Sequence, residues 1–112
     1  MGRLVLLNAF PINAFMPFKS LYVIFQSLTP LEFKILARQR DIACYIRHPA
    51  TVKALAEFLG KDLKPSTALY TYNPLDEICI VTLKRPARGK ENTEITIDDL
   101  AFTWVTFLER PE

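Results

Sequence analysis

The chain has 112 residues, which is enough for one domain with its own hydrophobic core. Half of the residues are hydrophobic and 12% are aromatic, a composition that excludes an intrinsically disordered chain. Fourteen basic and twelve acidic side chains leave a net charge of +2, which is too small to indicate a general nucleic-acid binder by charge alone.

The chain begins with two strand-like segments separated by a loop. Residues 3–7 and 21–25 are short runs of leucine, β-branched and aromatic residues, a pattern typical of interior strands covered on both faces. Residues 8–20 hold two prolines and two asparagines and predict a loop with one helical turn. A loop at a strand end is a common place for a ligand.

A helix is predicted over residues 30–38. Thr29 and Glu32 have the spacing of a capping box, and Pro30 occupies the first helical position, where proline is favoured. Three apolar residues at helical spacing form the face that we expect to pack on the sheet: Leu31, Ile35 and Leu36.

The next unit is a strand followed by a helix. Residues 42–46 predict a buried strand, and the helix begins at Pro49 and stops at Gly60. Its apolar residues repeat at helical spacing: Val52, Leu55, Ala56 and Leu59. Arg47 and His48 connect the two elements, which places His48 at or beside the helix cap.

The rest of the chain predicts a hairpin and a final strand. Residues 68–72 and 77–84 are strand-like runs on either side of a turn at 73–76. A helical turn over residues 97–100 then leads to a last strand over residues 102–108.

Together these elements predict a single α/β domain over residues 1–112, with a mixed five- or six-stranded sheet flanked by short helices. Cys44 and Cys79 lie inside apolar runs without the spacing of a metal site, so we expect buried free thiols. The sequence shows neither a secretion signal nor an apolar run of membrane-spanning length, and we expect a cytoplasmic protein.

His48 is the only histidine, and histidine is the side chain best suited to give or take a proton at neutral pH. The free N–H groups at the start of the following helix can hold an anion, and Thr51 can add a hydroxyl. The alternative is a polar residue that caps the helix, which is the more common role of an isolated histidine. Both interpretations stay open at this point.

Four basic residues lie within seven positions: Lys84, Arg85, Arg88 and Lys90. Arginine offers a bidentate fork that matches phosphate oxygens, so this cluster is a candidate phosphate clamp. The alternative is a solvated basic turn.

Asn8, Phe10 and Asn13 lie in the loop after the first strand. Asparagine can hydrogen-bond a base or a ribose, and phenylalanine can stack on a base, as in single-stranded RNA recognition. Turn formation and core packing are the alternatives, and packing is favoured for Phe10. P-loop, dinucleotide-binding, zinc-peptidase and serine-hydrolase motifs are missing from the sequence, and we expect neither a metal nor a cofactor.

Three segments stand out by their order and spacing: residues 6–13 (LLNAFPIN), residues 47–51 (RHPAT) with Leu59 and Gly60 after them, and Arg85 with Gly89 and Lys90. Together they resemble the viral anti-CRISPR ring nucleases, a family of small proteins from archaeal viruses and phages with host-encoded relatives. The resemblance spans most of the chain. Three positions depart from the family pattern: Pro11 replaces a serine, Arg88 a glutamate and Thr67 an arginine.

The resemblance implies a symmetric homodimer that binds cyclic tetra-adenylate across its two-fold axis. The ring would be linearised without a metal, which deprives type III CRISPR effectors of their activator. His48 matches the catalytic histidine, and we expect Arg85 to neutralise charge on the phosphoryl oxygens. The predicted ligand-binding residues are Asn8, Ala9, Phe10, Pro11, Asn13, Arg47, Thr51, Lys84 and Arg88.

Two other functions stay open beside this one. A non-catalytic sponge or sensor would hold a cyclic nucleotide without cutting it. A small DNA-binding viral regulator would use the basic cluster and bind duplex DNA in a salt-dependent way, although we consider duplex DNA a poor candidate. We expect no membrane association, and a viral protein of this kind would act in the cytosol of its host.

Overall fold

The computed structural model describes residues 3–16, 20–84 and 95–108. In these residues the strands are β1 (Leu4–Leu7), β2 (Val23–Leu28), β3 (Ile42–Cys44), β4 (Glu77–Leu83) and β5 (Leu100–Phe107). The helices are α1 (Pro30–Arg38) and α2 (Pro49–Leu59), and 3₁₀ turns cover Ile12–Phe15 and Ile97–Asp99.

The strands form one mixed sheet in the order β2-β5-β4-β1-β3. Strand β1 pairs in parallel with both β3 and β4, whereas β5 pairs antiparallel with β4 and β2. The carboxyl ends of β1, β3 and β4 therefore lie at the same edge of the sheet. A five-stranded mixed sheet with two helices confirms the predicted α/β fold.

The two helices cover one face of the sheet. Leu4 and Leu6 of β1 point to this face and pack with Leu55 of α2 in a fully buried cluster. Phe33 of α1 stacks on Phe102 of β5 with ring centroids 4.3 Å apart. Burying these large side chains is the main contribution that holds the helices on the sheet.

Aromatic side chains from connecting segments cover the opposite face. Phe15, from the first 3₁₀ turn, packs with Tyr72 and Phe107 at centroid distances of 4.5 and 5.2 Å. Val5 and Ile78 lie beneath this layer and are fully buried. The loop after β1 therefore lies over the sheet and starts at its carboxyl edge.

The helix boundaries follow the predicted signals. Thr29 and Glu32 form the reciprocal capping box of α1, with hydrogen bonds of 3.1 and 2.8 Å to each other's backbone N–H groups. Helix α2 begins at Pro49 and is closed by Gly60 in the left-handed conformation, with φ of 65°. Among the described residues, no helix is long and apolar enough to span a membrane.

The predicted hairpin is wrong. Both sides of β4 are taken, by β1 and by β5, which leaves no position beside β4 for residues 68–72. The alternation in that segment has another cause: Tyr70 and Tyr72 face the aromatic layer, while Leu69 is exposed. The turn at 73–76 is present, with Asp76 N–H donating to Asn73 O at 2.8 Å.

Two predictions about burial are also wrong. The second strand is an edge strand rather than an interior one, and its Phe25 is 53% exposed. In α1, Phe33 and Ala37 form the buried face, whereas Leu31 and Ile35 are exposed. Stacking on Phe102 sets the rotation of α1, and the sequence pattern does not contain this partner. Cys79 is a buried free thiol, as predicted, whereas the free thiol of Cys44 is only partly buried, because β3 lies at the edge of the sheet and is not the buried strand predicted for residues 42–46.

Candidate active site at the carboxyl edge of the sheet

Three adjacent strands deliver predicted site residues to one edge of the sheet. Asn8 follows β1, His48 follows β3, and Lys84 follows β4. Strand β1 lies between the other two, so Asn8 is at the centre of this edge. Residues 85–94 follow Lys84 in the chain and lie outside the described residues. The parallel order of these strands thus brings the strand ends that precede Asn8, Arg47, His48 and Lys84 to one edge of the sheet.

The connection from β3 to α2 holds His48 firmly in place. Tyr45 N–H donates to Leu6 O at 2.9 Å, which extends the parallel pairing beyond the last residue of β3. Ile46 is 1% exposed and anchors the connection in the helix-side core. Ser66 N–H donates to Ile46 O at 2.9 Å and fixes it from the other side. His48 therefore lies between Ile46, which is fixed by burial and a backbone hydrogen bond, and the first residue of α2.

His48 is the N-cap residue of α2, as predicted, but its side chain does not cap the helix. The imidazole Nδ1 instead shares a 2.8 Å hydrogen bond with Oγ1 of Thr51, one turn along α2. Thr51 is 5% exposed, while His48 is only partly buried. The structure thus disfavours the simple capping role for His48 and gives its ring a buried hydroxyl as a partner.

The start of α2 favours an anion. The first turn contains no acidic residue, and Pro49 at the first position has no N–H group to be satisfied. Unpaired N–H groups in a first helical turn carry partial positive charge and bind phosphate well. Arg47, which precedes His48, is exposed and adds a full positive charge to the same end.

The loop after β1 starts at this edge with Asn8 and Ala9 and then runs over the open face of the sheet, where Phe15 packs on Phe107. Asn8, Ala9 and Asn13 are exposed, and Pro11 caps the 3₁₀ turn that carries Asn13. Phe10 is partly buried. Its ring stacks on Phe15 and meets Phe25 edge-on, each with a centroid distance of 5.6 Å. These contacts account for Phe10 by packing, and its stacking on a base stays a prediction.

The basic cluster is only partly visible. Lys84 is exposed, and its backbone N–H donates to Asp99 O at 2.9 Å. This bond ties the end of β4 to the second 3₁₀ turn, so the cluster starts from a fixed point. Arg85, Arg88 and Lys90 lie outside the described residues. Their predicted role as a phosphate clamp is therefore untested by the geometry.

The side-chain types at this edge bear on the class of ligand that it could bind. Residues 3–16, 20–84 and 95–108 contain no group of three or more histidine, cysteine, aspartate or glutamate side chains that could hold a metal ion. Among the described residues, the polar side chains at this edge include the Asn8 amide, the Thr51 hydroxyl, the His48 imidazole, the cations of Arg47 and Lys84, and the carboxylates of Asp98 and Asp99 beside Lys84. The positive charge of Arg47 and the start of α2 favour a phosphate ester beside His48.

A groove with a volume of about 500 Å³ lies elsewhere, between α1 and the sheet. Its ionisable side chains are already used in the fold. Arg40 pairs with Glu77 at 2.5 Å and lies over the Trp104 ring, and Glu32 closes the capping box of α1. Because these side chains already form an ion pair, a ring contact and a helix cap, we take the carboxyl edge as the candidate site.

Sequence reasoning named Thr51 as a ligand hydroxyl and missed its contact with His48. The signal was present, since a residue at the N-cap and one three positions later face each other across the first turn. Capping boxes are familiar for serine or threonine with glutamate, and here the pair is histidine with threonine.

Comparison with known proteins places the fold. Over 93% of this chain and 98% of the other, the structure matches B116 of Sulfolobus turreted icosahedral virus (STIV), with a TM-score of 0.72 and 19% sequence identity. Among curated proteins, no sequence matches this chain significantly. The family described as STIV B116-like matches residues 4–107, which include every described strand and both helices. The chain therefore belongs to the STIV B116-like family.

Proposed function

We propose that this protein is a metal-independent ring nuclease that binds a cyclic oligoadenylate, cyclic tetra-adenylate in the first instance, and opens it. The observation that carries the proposal is the position of His48 at the mouth of α2, with its ring held by Thr51. A proton-transfer group thus stands beside a helix end that favours phosphate. Asn8 and Asn13, on the neighbouring loop, are the groups that we propose for the bases or riboses.

The reaction needs a positioned phosphodiester and a proton donor. The ribose 2′-hydroxyl attacks its neighbouring phosphorus, so a bond forms from O2′ to phosphorus and the bond from phosphorus to O5′ breaks. The 2′-hydroxyl proton is lost to solvent, and His48 protonates the departing O5′. The ring opens with a 2′,3′-cyclic phosphate at one end and a 5′-hydroxyl at the other. Arg85 is proposed to neutralise charge on the phosphoryl oxygens.

A homodimer fits this substrate. A cyclic oligoadenylate can be two-fold symmetric, so two copies of one small subunit would offer the same groups to both halves of the ring. Each copy would then supply one His48 and one set of loop amides. We propose that the carboxyl edges of two sheets face each other across the ligand, and sedimentation with and without the ring would test this arrangement.

The biological setting is a proposal as well. The matched structure, B116, is a protein of an archaeal virus. A viral protein that destroys cyclic oligoadenylate in the host cytosol would remove the activator of type III CRISPR effectors. We propose this role for the present chain. We also propose that it acts without binding a membrane.

Labelled cyclic tetra-adenylate incubated with the purified protein and a chelator tests the proposal. Wild type should open the ring, and His48→Ala should slow opening at least about a hundredfold while leaving affinity for the ring within a few-fold. Arg38→Ala is the matched control, because Arg38 is exposed at the end of α1 that faces away from the carboxyl edge. Intact ring with excess wild-type protein would contradict catalysis. Tight binding in that case would indicate a sponge or sensor, and salt-sensitive duplex binding without ring binding would indicate a DNA-binding regulator.

A further inference from the structure

We infer that Thr51 is a positioning residue for His48: its buried hydroxyl occupies Nδ1 of the imidazole and assigns Nε2 as the nitrogen that exchanges the proton. The chemical consequence rests on the proposed function. The assignment of the nitrogens does not, since it depends on which hydrogen-bond partners surround the Thr51 hydroxyl.

The geometry of the contact is favourable. Nδ1 of His48 and Oγ1 of Thr51 are 2.8 Å apart, within the ordinary range of a strong hydrogen bond. Thr51 is the third residue of α2 and 5% exposed, so its backbone and its side chain are both fixed by packing. His48 sits at the N-cap with extended backbone angles, which turns its side chain back over the first turn. The hydroxyl therefore reaches the ring without distortion.

The direction of the bond follows from the surroundings of the hydroxyl. Within the described part of the chain, His48 Nδ1 is the one hydrogen-bond partner of Thr51 Oγ1. A hydroxyl has a single hydrogen, and a buried hydroxyl hydrogen without an acceptor is costly. When the imidazole is neutral, the hydroxyl thus donates to Nδ1, and the ring proton is on Nε2.

The same hydroxyl also serves the charged ring. In the imidazolium both nitrogens carry protons, so Nδ1–H donates and the Thr51 oxygen accepts after rotation of its hydroxyl. The ring keeps one orientation in both protonation states, with Nε2 directed away from Thr51. A general acid whose ring keeps the same orientation stays aligned with the leaving oxygen between ligand binding and proton transfer. This separates Thr51 from a direct ligand contact, which was its predicted role.

Nitrogen-15 NMR of the ring tests the assignment without any ligand. His48 is the only histidine, so one set of imidazole signals reports on it. In wild type, two-bond couplings at a pH where the ring is neutral should show the proton on Nε2. Thr51→Ser should preserve this pattern, and Thr51→Val should shift the ratio of the two tautomers by about fivefold toward Nδ1–H. Thr106→Val, an exposed threonine on β5, is the control and should leave the ratio unchanged.

Three outcomes would overturn the inference. They are a neutral wild-type ring protonated on Nδ1, a tautomer ratio that Thr51→Val leaves unchanged, and a Thr51→Ser protein that behaves like Thr51→Val. A neutral wild-type ring protonated on Nδ1 overturns the inference by itself, and Thr51→Ser against wild type keeps the test open even if Thr51→Val folds poorly.

Ring cleavage then gives a second readout. Thr51→Val should lower the rate constant of single-turnover opening about tenfold, with the dissociation constant for cyclic tetra-adenylate unchanged, and Thr51→Ser should restore the rate. A weakened affinity at an unchanged rate would show that Thr51 contacts the ligand instead, and would overturn a positioning role. If wild type leaves the ring intact, the proposed function fails while the tautomer result still decides the role of Thr51.

Discussion

A buried network at the amino edge of the sheet gives a quantitative prediction about stability. The Asp76 side chain is 3% exposed and accepts a 2.6 Å hydrogen bond from the Tyr70 hydroxyl. It also accepts from Arg3 Nε at 3.1 Å, but the Arg3 side chain is 41% exposed. The network joins the segment that covers the open face of the sheet to the start of β1.

Burial decides which partner of Asp76 matters more. Losing the Tyr70 hydroxyl leaves a buried carboxylate oxygen poorly paired, so Tyr70→Phe should lower the free energy of unfolding by about 2 kcal/mol. Solvent screens the Arg3 pair, so Arg3→Gln should cost about 0.5 kcal/mol. Asp76→Ala removes both contacts and leaves the Tyr70 hydroxyl without its acceptor. It should therefore lower the free energy of unfolding by about 3 kcal/mol.

Urea unfolding followed by fluorescence of Trp104, the single tryptophan, measures these differences. A double-mutant cycle between Tyr70 and Asp76 should give a coupling of about 1.5 kcal/mol, well above that between Arg3 and Asp76. The reasoning would be refuted if Arg3→Gln cost as much as Tyr70→Phe, or if Tyr70→Phe cost less than about 0.5 kcal/mol.

Further predictions concern single positions. Tyr72→Phe should raise the free energy of unfolding by about 1 kcal/mol, because the Tyr72 hydroxyl is buried with no partner among the described residues. A lower free energy of unfolding would contradict this. Gly60→Ala should cost about 1 kcal/mol, since Gly60 closes α2 at φ 65° and an added Cβ meets no atom within 4 Å, so strain alone acts; an unchanged midpoint would refute it. Burial raises the pKa of Cys79 to about 12, and burial with the Asp76 hydrogen bond raises the pKa of Tyr70. Both groups keep their protons in the folded chain after the unfolded chain has lost them, so stability should fall above about pH 9 by up to about 1.4 kcal/mol per pH unit for each group. Tyr70→Phe should flatten that fall above about pH 10, and an equal slope in both proteins would count against the assignment.

Local signals in the sequence determined much of the secondary structure. The capping box at Thr29, Pro49 at the start of α2 and Gly60 at its end each act within one turn of chain, and the structure confirms the boundaries they predict. The helical turn in the loop after β1 is confirmed for the same reason.

Contacts between residues distant in the chain could not be predicted from the sequence pattern. The alternation of residues 68–72 fits a strand in a sheet and equally a segment laid over one, and only the occupation of both sides of β4 decides between them. Likewise, nothing in the pattern of α1 reveals that Phe33 meets Phe102, which turns Ile35 to solvent.

For the candidate site, sequence reasoning singled out Asn8, His48 and Lys84 as separate candidates, and the parallel order of β4, β1 and β3 brings the strand ends before them to one edge. Sequence reasoning did not predict the partner of the His48 ring, because a side-chain hydrogen bond depends on rotamers and burial as well as on spacing. The roles of Arg85 and Arg88 stay predictions, since both residues lie outside the described segments.

Mass spectrometry of the reaction products tests the central claim most directly. Attack by the 2′-hydroxyl adds no water, so the first product of cyclic tetra-adenylate should be a linear isomer of the ring, with the same mass and a different retention time, and a second cut should halve that mass. The account predicts these species with wild type in the presence of a chelator, and their loss with His48→Ala. A ring that persists, or a first product heavier by one water molecule from the outset, would contradict it.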